Sequence, residues 1–168
     1  MADGLSTLRI LVVDDNAQMR TIIGTVLAAV GVRNLYYAQD GRDALEVMTR
    51  QPIDIIYVDL EMPVMNGLQF IAAVRALSPP KREIPIIMLT GHCDVSSVVR
   101  ARDAGVNEFL GKPVTAKSIL QRMSEVIFRP RGFVVSPDYA GPDRRRRSLR
   151  SYDGPKRRSS DSGQTIEL

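Results

Sequence analysis

Ile53-Asp54-Ile55-Ile56-Tyr57-Val58-Asp59 is a short, mostly β-branched and apolar run that stops on a carboxylate, and Leu60-Glu61-Met62-Pro63-Val64-Met65-Asn66-Gly67 follows it as a loop. A run of this length, apolar at nearly every position, predicts a strand buried on both faces over 53–58. The loop leads to a predicted helix of about ten residues that ends before Pro79-Pro80. The same phrase of strand, polar residue and helix recurs on either side. Leu8 to Val13 is a buried strand ending at Asp14-Asp15. Asn16 then caps a helix carrying Met19, Ile22, Ile23, Val26, Leu27 and Val30 at helical spacing, with Gly31 as its stop. Asn34 to Ala38 reads as a weaker strand, and Asp40 caps a helix through Thr49. Ile84 to Leu89 is a fourth strand, ending at Thr90-Gly91, with a helix from about Val95 to Ala104 stopped by Gly105. Val106 to Leu110 is a fifth, ending at Gly111-Lys112-Pro113, and Thr115 caps a last helix to about Phe128.

Five strand–helix units predict an α/β fold. The expected architecture is a five-stranded parallel sheet, doubly wound as (βα)5 with right-handed crossovers, in the common order 2-1-3-4-5. In that order the ligand crevice lies at the carboxyl ends of strands 1 and 3. The polar strand-end residues stand there: Asp14, Asp15, Asp59, Thr90 and Lys112. One strand-end carboxylate is often just a helix cap, and one lysine before proline is often a surface charge. Five polar residues at four strand ends on the ligand-binding side are a different matter. Converging carboxylates repel, and they persist with a cation between them or with raised pKa values. Mg²⁺, which takes oxygen ligands and keeps several waters, is the economical solution. A carboxylate nucleophile, a divalent metal, a lysine and a hydroxyl are the parts needed to place a phosphoryl group on an aspartate.

Composition bounds the alternatives. The chain has 168 residues, 23 basic and 19 acidic, with 44% apolar residues, enough for one packed domain. Aromatic residues are 5% with no tryptophan, which argues against carbohydrate binding or base stacking as the main task. The single cysteine, Cys93, excludes an intrachain disulfide framework and a cysteine-rich zinc site, and the single histidine, His92, excludes a histidine-rich metal centre. No secretory leader and no apolar run of about 18 residues is present, so the expectation is a soluble cytoplasmic protein.

The charge is uneven. Residues 1–129 hold 14 basic and 14 acidic side chains, whereas 130–168 hold 9 and 5, and 144–158 hold eight basic residues against Asp153. Pro, Gly, Ser, Asp and Arg dominate past Phe128. The expected division is a domain over 1–129 and a basic, disordered tail over 130–168. The tail carries two copies of Tyr-x-Gly-Pro-x-Arg-Arg, starting at Tyr139 and Tyr152. It reads as a solubilising arm or as a contact for an acidic protein surface, nucleic acid or anionic lipid. No DNA-reading module fits in it, so sequence-specific DNA binding is not expected.

Val12-Val13-Asp14-Asp15, the stretch from Asp59 to Gly67, Leu89-Thr90-Gly91, and Phe109-Leu110-Gly111-Lys112-Pro113-Val114 together resemble the signatures of the response-regulator receiver domain of two-component signalling. The resemblance spans about 7–128 and implies a flavodoxin-like fold. It implies that Asp59 accepts a phosphoryl group from a phosphohistidine on a sensor histidine kinase or phosphotransfer protein. By the same resemblance Asp15 and Asp59 ligate Mg²⁺, Asp14 helps through water, and the backbone carbonyl of Glu61 completes the protein ligands. Thr90 would hydrogen-bond the phosphoryl group and Lys112 would pair with it, with Lys112–Pro113 cis. Thr90 and Phe109 would form the switch that remodels the face made by the fourth helix, fifth strand and fifth helix of the five units. The family often has tyrosine at the Phe109 position, so a readout through that hydroxyl is lost here. Glu61 and His92 flank the phosphoryl approach and would tune dephosphorylation; His92 is otherwise a solvated helix-start residue and not a phosphodonor. The implied protein catalyses only its own phosphorylation and dephosphorylation. It meets an unidentified downstream protein and pairs with itself on phosphorylation. A different class, a Mg²⁺-dependent phosphatase or phosphotransferase with an aspartyl nucleophile, has the same residues, since Glu61 lies two positions after Asp59. A tail-driven nucleic-acid or membrane binder is the third reading.

Overall fold

The computed structural model describes residues 2–91 and 94–145. Five strands, β1 (Arg9–Val13), β2 (Asn34–Ala38), β3 (Ile55–Asp59), β4 (Ile86–Thr90) and β5 (Glu108–Gly111), form a parallel sheet in the order β2-β1-β3-β4-β5. Six helices are described: α1 (Ala2–Ser6), α2 (Ala17–Ala29), α3 (Gly41–Arg50), α4 (Gly67–Arg75), α5 (Val95–Ala104) and α6 (Ala116–Phe128), with a 3₁₀ turn at Lys81–Glu83. The topology is the one expected from the five strand–helix units, and no described helix is long and apolar enough to cross a membrane.

Strand alternation builds the core in two layers. Leu11, Val13, Ile56, Val58, Ile86 and Met88 face α3, α4 and α5, where they meet Met48, Phe70, Ile71 and Ala101. Ile10, Val12, Ile55, Tyr57, Ile87 and Leu89 face α2 and α6, meeting Ile23, Leu27, Ile119 and Met123. The central strands are therefore buried on both sides, which is why they read as unbroken apolar runs. The Tyr57 hydroxyl, at the bottom of the second layer, donates to the Ile119 carbonyl at 2.9 Å, and burial pushes its phenol pKa up.

Helix starts are fixed by side-chain caps. Asn16, Asp40 and Thr115 cap α2, α3 and α6 as their sequence positions imply, and Asn66 and Asp94 do the same for α4 and α5. Asn66 and Gln69 form a reciprocal capping box. Three strands run further toward the site than their apolar pattern shows. Pairing continues through Asp59 opposite Leu89 and Thr90 opposite Gly111, so these residues end their strands instead of following them. Ladder hydrogen bonds are indifferent to side-chain polarity, so hydropathy places the strand end too early.

The division expected at residue 129 is corrected by the structure. Past α6 the chain forms an antiparallel hairpin, β6 (Phe133–Ser136) and β7 (Tyr139–Pro142), docked beside the turn between α5 and β5. Few apolar residues are needed because polar groups hold it. The Arg131 guanidinium donates to the Asn107 carbonyl and, at 3.1 Å, to the Asp143 carbonyl. The Phe133 ring lies 5.5 Å from the Arg75 guanidinium carbon and 6.0 Å from that of Arg82. Residues 146–168, with the second Tyr-x-Gly-Pro-x-Arg-Arg copy and most of the basic run, lie outside the described residues.

Candidate functional site

The parallel register brings the carboxyl ends of β1, β3, β4 and β5 to one rim. Asp14 follows β1 with its backbone N–H donating to Ala38 at 3.1 Å, and its Oδ1 accepts from the Asn16 N–H at 2.9 Å. Asp14 is fully buried, Asp59 is 5% exposed and Asp15 is exposed. One carboxylate oxygen from each of the three lies within 4.8 Å of the others. Lys112, just after β5, puts its Nζ 3.0 Å from Asp59 Oδ1 and 3.6 Å from Asp14 Oδ2. Its backbone N–H donates to the Thr90 carbonyl at 2.8 Å, and the Lys112–Pro113 peptide is cis.

Electrostatics at this rim are unbalanced by design of the residue set. Burial pushes the Asp59 carboxyl above the ordinary range, the Lys112 hydrogen bond pulls it back, and the neighbouring Asp14 charge raises it again. Burial likewise raises Asp14, against the Asn16 hydrogen bond and the Lys112 charge. Burial disfavours the Lys112 charge, but its bond to Asp59 and the fields of both aspartates outweigh that and hold its pKa above the usual lysine value. One ammonium thus faces three carboxyl groups. Asp14 Oδ2 is buried and makes no hydrogen bond, its contact with the Lys112 ammonium being an ion pair at 3.6 Å; it is an orphaned acceptor that a closer cation would satisfy. An all-oxygen set with one buried orphan fits a hard divalent ion, with Asp14, Asp15 and Asp59 as the side chains able to hold it.

The loop from Glu61 to Asn66 brings the next wall. Val64 has φ of +66°, and the Met65 N–H donates to the Pro63 carbonyl at 2.7 Å, forming a γ-turn that a β-branched residue adopts at a cost. Gly67 N–H donates to the Leu60 carbonyl at 2.9 Å, and a Cβ at Gly67 would lie 2.4 Å from the Asp59 carbonyl oxygen. The start of α4 therefore rests directly on the backbone of Asp59, a contact possible only without a side chain. Beside Asp15 a shallow groove of about 460 Å³ is lined by Glu61, Met62, Asn66 and Arg100 among others.

Each expected residue except His92 has a place among the described residues. Asp14, Asp15, Asp59 and Lys112 are brought together. Thr90 is buried one strand over from Asp59. Phe109 is half-buried opposite Met88 and packs on the α3–α4–α5 layer. Glu61 is exposed on the groove wall. His92 lies outside the described residues. Gly67 and Arg100 were not singled out from the sequence. The quoted loop ends on Gly67, which was a signal for the first. Arg100 reaches the groove only through the placement of α5, which no local pattern encodes.

Residues 10–124 match the family model described as the response regulator receiver domain. The chain belongs to the response regulator receiver domain family. Receiver relatives carry the match through nearly their full length. It is 30% identical over 122 residues to chemotaxis protein CheY-3 of Vibrio cholerae, covering 73% of this chain and 93% of that one. It is 33% identical over 125 residues to chemotaxis protein CheY of Pseudomonas aeruginosa, covering 74% of this chain and 100% of that one. The receiver fold superposes on the solved chemotaxis response regulator CheY4 of Vibrio cholerae with a TM-score of 0.66 at 30% identity, over 71% of this chain and 98% of that chain. The β6–β7 hairpin lies beyond the residues that the receiver model matches.

Proposed function

We propose that this receiver is a phosphorylation-controlled binding module whose phosphoacceptor is Asp59. The observation that carries the reading is the Lys112 ammonium 3.0 Å from Asp59 Oδ1, inside a cluster of three carboxylates with one orphaned oxygen. An Asp59 oxygen attacks the phosphorus of a phosphohistidine on a sensor histidine kinase or phosphotransfer protein. The O–P bond forms as the P–N bond breaks, and the imidazole leaves with a proton from solvent. Mg²⁺, held by Asp14, Asp15, Asp59 and the Glu61 carbonyl, would neutralise the incoming phosphoryl charge. Lys112 offsets the rest, and in doing so trades its bond to the carboxylate for one to the phosphoryl oxygens.

The buried Thr90 hydroxyl is the group able to follow the phosphoryl oxygens, and the half-buried Phe109 fills the space that this motion opens. The readout is a remodelled α5–β5–α6 face offered to a downstream protein or a second copy of the chain. Glu61 on the groove wall, with His92, would set how fast water reaches the acyl phosphate. A cytoplasmic location belongs to the same reading, as does a chemistry confined to the protein's own phosphorylation and dephosphorylation.

Acetyl phosphate with Mg²⁺ should add one phosphoryl group per chain, read by intact mass, and Asp59→Asn should abolish it. Full labelling of the Asp59→Asn protein would transfer the acceptor role elsewhere and end this assignment.

A further inference from the structure

The first Tyr-x-Gly-Pro-x-Arg-Arg copy is a docked ligand, and nearly every fixed position of the motif has a task. The Tyr139 ring lies 3.9 Å beneath the Arg144 guanidinium carbon, and its hydroxyl donates to the Pro142 carbonyl at 2.7 Å. Gly141 sits against the main chain of Gly105, where a Cβ would be 2.8 Å from Gly105 Cα. Gly105 itself has φ of +101°, and a Cβ there would meet the Ala140 carbonyl at 2.8 Å. Two glycines thus let two backbones touch. Pro142 is buried opposite Phe133, and Arg144 pairs with Asp103 at 3.4 Å.

The receiving surface is prebuilt. Arg75, 5% exposed, donates to the Gly105 carbonyl from both Nε and Nη2, at 3.0 and 2.7 Å, and to Asn107 Oδ1 at 2.8 Å. These bonds hold the Gly105 turn in place independently of the hairpin. Tyr152-Asp153-Gly154-Pro155-Lys156-Arg157-Arg158 repeats the tyrosine, glycine, proline and both arginines thirteen residues later.

We infer that the surface formed by Asp103, Gly105, Arg75 and Asn107 is a recognition site for the Tyr-x-Gly-Pro-x-Arg-Arg motif, and that residues 152–158 of the same chain are its second ligand, exchanging with residues 139–145. Strand β6 stays in place; the two-residue turn Pro137-Asp138 becomes a loop over 137–151, and Arg157 takes the place of Arg144 against Asp103. Exchange moves Arg144 and Arg145 from their place just after β7 into an open loop, so the chain has two arrangements of these arginines. The first copy has two advantages. Loop closure favours it about twenty-fold from the length difference. Asp143 also accepts from the Arg145 N–H at 3.0 Å, a bond that Lys156 cannot reproduce.

Full-length chains in a Cys93→Ser background, carrying Asp103→Cys with either Arg144→Cys or Arg157→Cys, test this with a short bis-maleimide and peptide mapping. The 103–144 link should form readily. The 103–157 link should form at about one-tenth of that yield or less, as an intrachain product, and rise at least about five-fold when Gly141→Val or Tyr139→Ala disables the first copy. Adding Gly154→Val should remove that gain, which chance collision would not do. A 103–157 yield that ignores both Gly141→Val and Tyr139→Ala, or that survives Gly154→Val, overturns the exchange. So does a link found only between two chains.

Discussion

Arg9 and Asp54 tie the start of β1 to the residue before β3. The Arg9 backbone N–H and Nε both donate to Asp54 Oδ2, at 2.8 and 3.0 Å, and Nη2 donates to Oδ1 at 3.0 Å. The Arg9 guanidinium holds the Asp54 carboxyl below the usual carboxylate range. A depressed folded-state pKa means that the unfolded chain binds the proton more readily, so this pair stabilises the fold above the unfolded value and loses its contribution as pH falls through the folded value. Replacing Asp54 with Asn should therefore lower the thermal midpoint at neutral pH and leave it nearly unchanged at strongly acid pH. Thermal melts of both proteins across that range check it; equal differences at both ends would mean that the charge plays no part. None of this pairing was legible in the sequence, where Arg9 and Asp54 are two charges in apolar runs 45 residues apart.

Elements set the site through their ends. Gly67→Ala should push α4 off the Asp59 carbonyl, since the added Cβ would lie 2.4 Å from it and backbone atoms have nowhere to go. The expected loss is about 1–3 kcal/mol in chemical denaturation, together with slower phosphorylation by acetyl phosphate, because the moved backbone carries the acceptor. An alanine protein that matches the parent in both would place the strain elsewhere. The strand–helix alternation, three of the caps and all five charged or hydroxylic groups at the rim were readable from the sequence, because buried parallel strands write themselves as apolar runs and caps as Asn, Asp or Thr. Strand ends were not: Asp59 and Thr90 belong to the ladder by main-chain pairing, which leaves no trace in side-chain polarity.

At the scale of the molecule, Arg75 joins pieces that the chain order keeps apart. From the end of α4 its guanidinium bonds the carbonyls of Gly105, Arg82 and Ile84 and faces the Phe133 ring of the hairpin. Burial lowers its pKa to about 10, so it stays charged at neutral pH. Arg75→Met should strand three carbonyls and loosen the β6–β7 hairpin. The expected cost is about 3 kcal/mol or more, with faster amide exchange over residues 133–142 as the diagnostic signal. Unchanged exchange in those amides would show the hairpin to be held by Arg131 and Arg144 alone. Hydropathy hid this region for the same reason. A segment held by guanidinium groups, one ring and a pair of touching glycines looks like a linker when only apolar content is weighed.

The hairpin docks at the amino-terminal end of β5, on Gly105 and Asn107, while the carboxylates stand at the opposite rim, at the carboxyl ends of β1 and β3. Acid chemistry and peptide docking therefore occupy opposite poles, separated by the length of the sheet. A fluorophore on the Pro137-Asp138 turn would leave the acceptor pole untouched, and any change in its emission upon acetyl phosphate addition would be a direct gauge of how far strain travels along two strands.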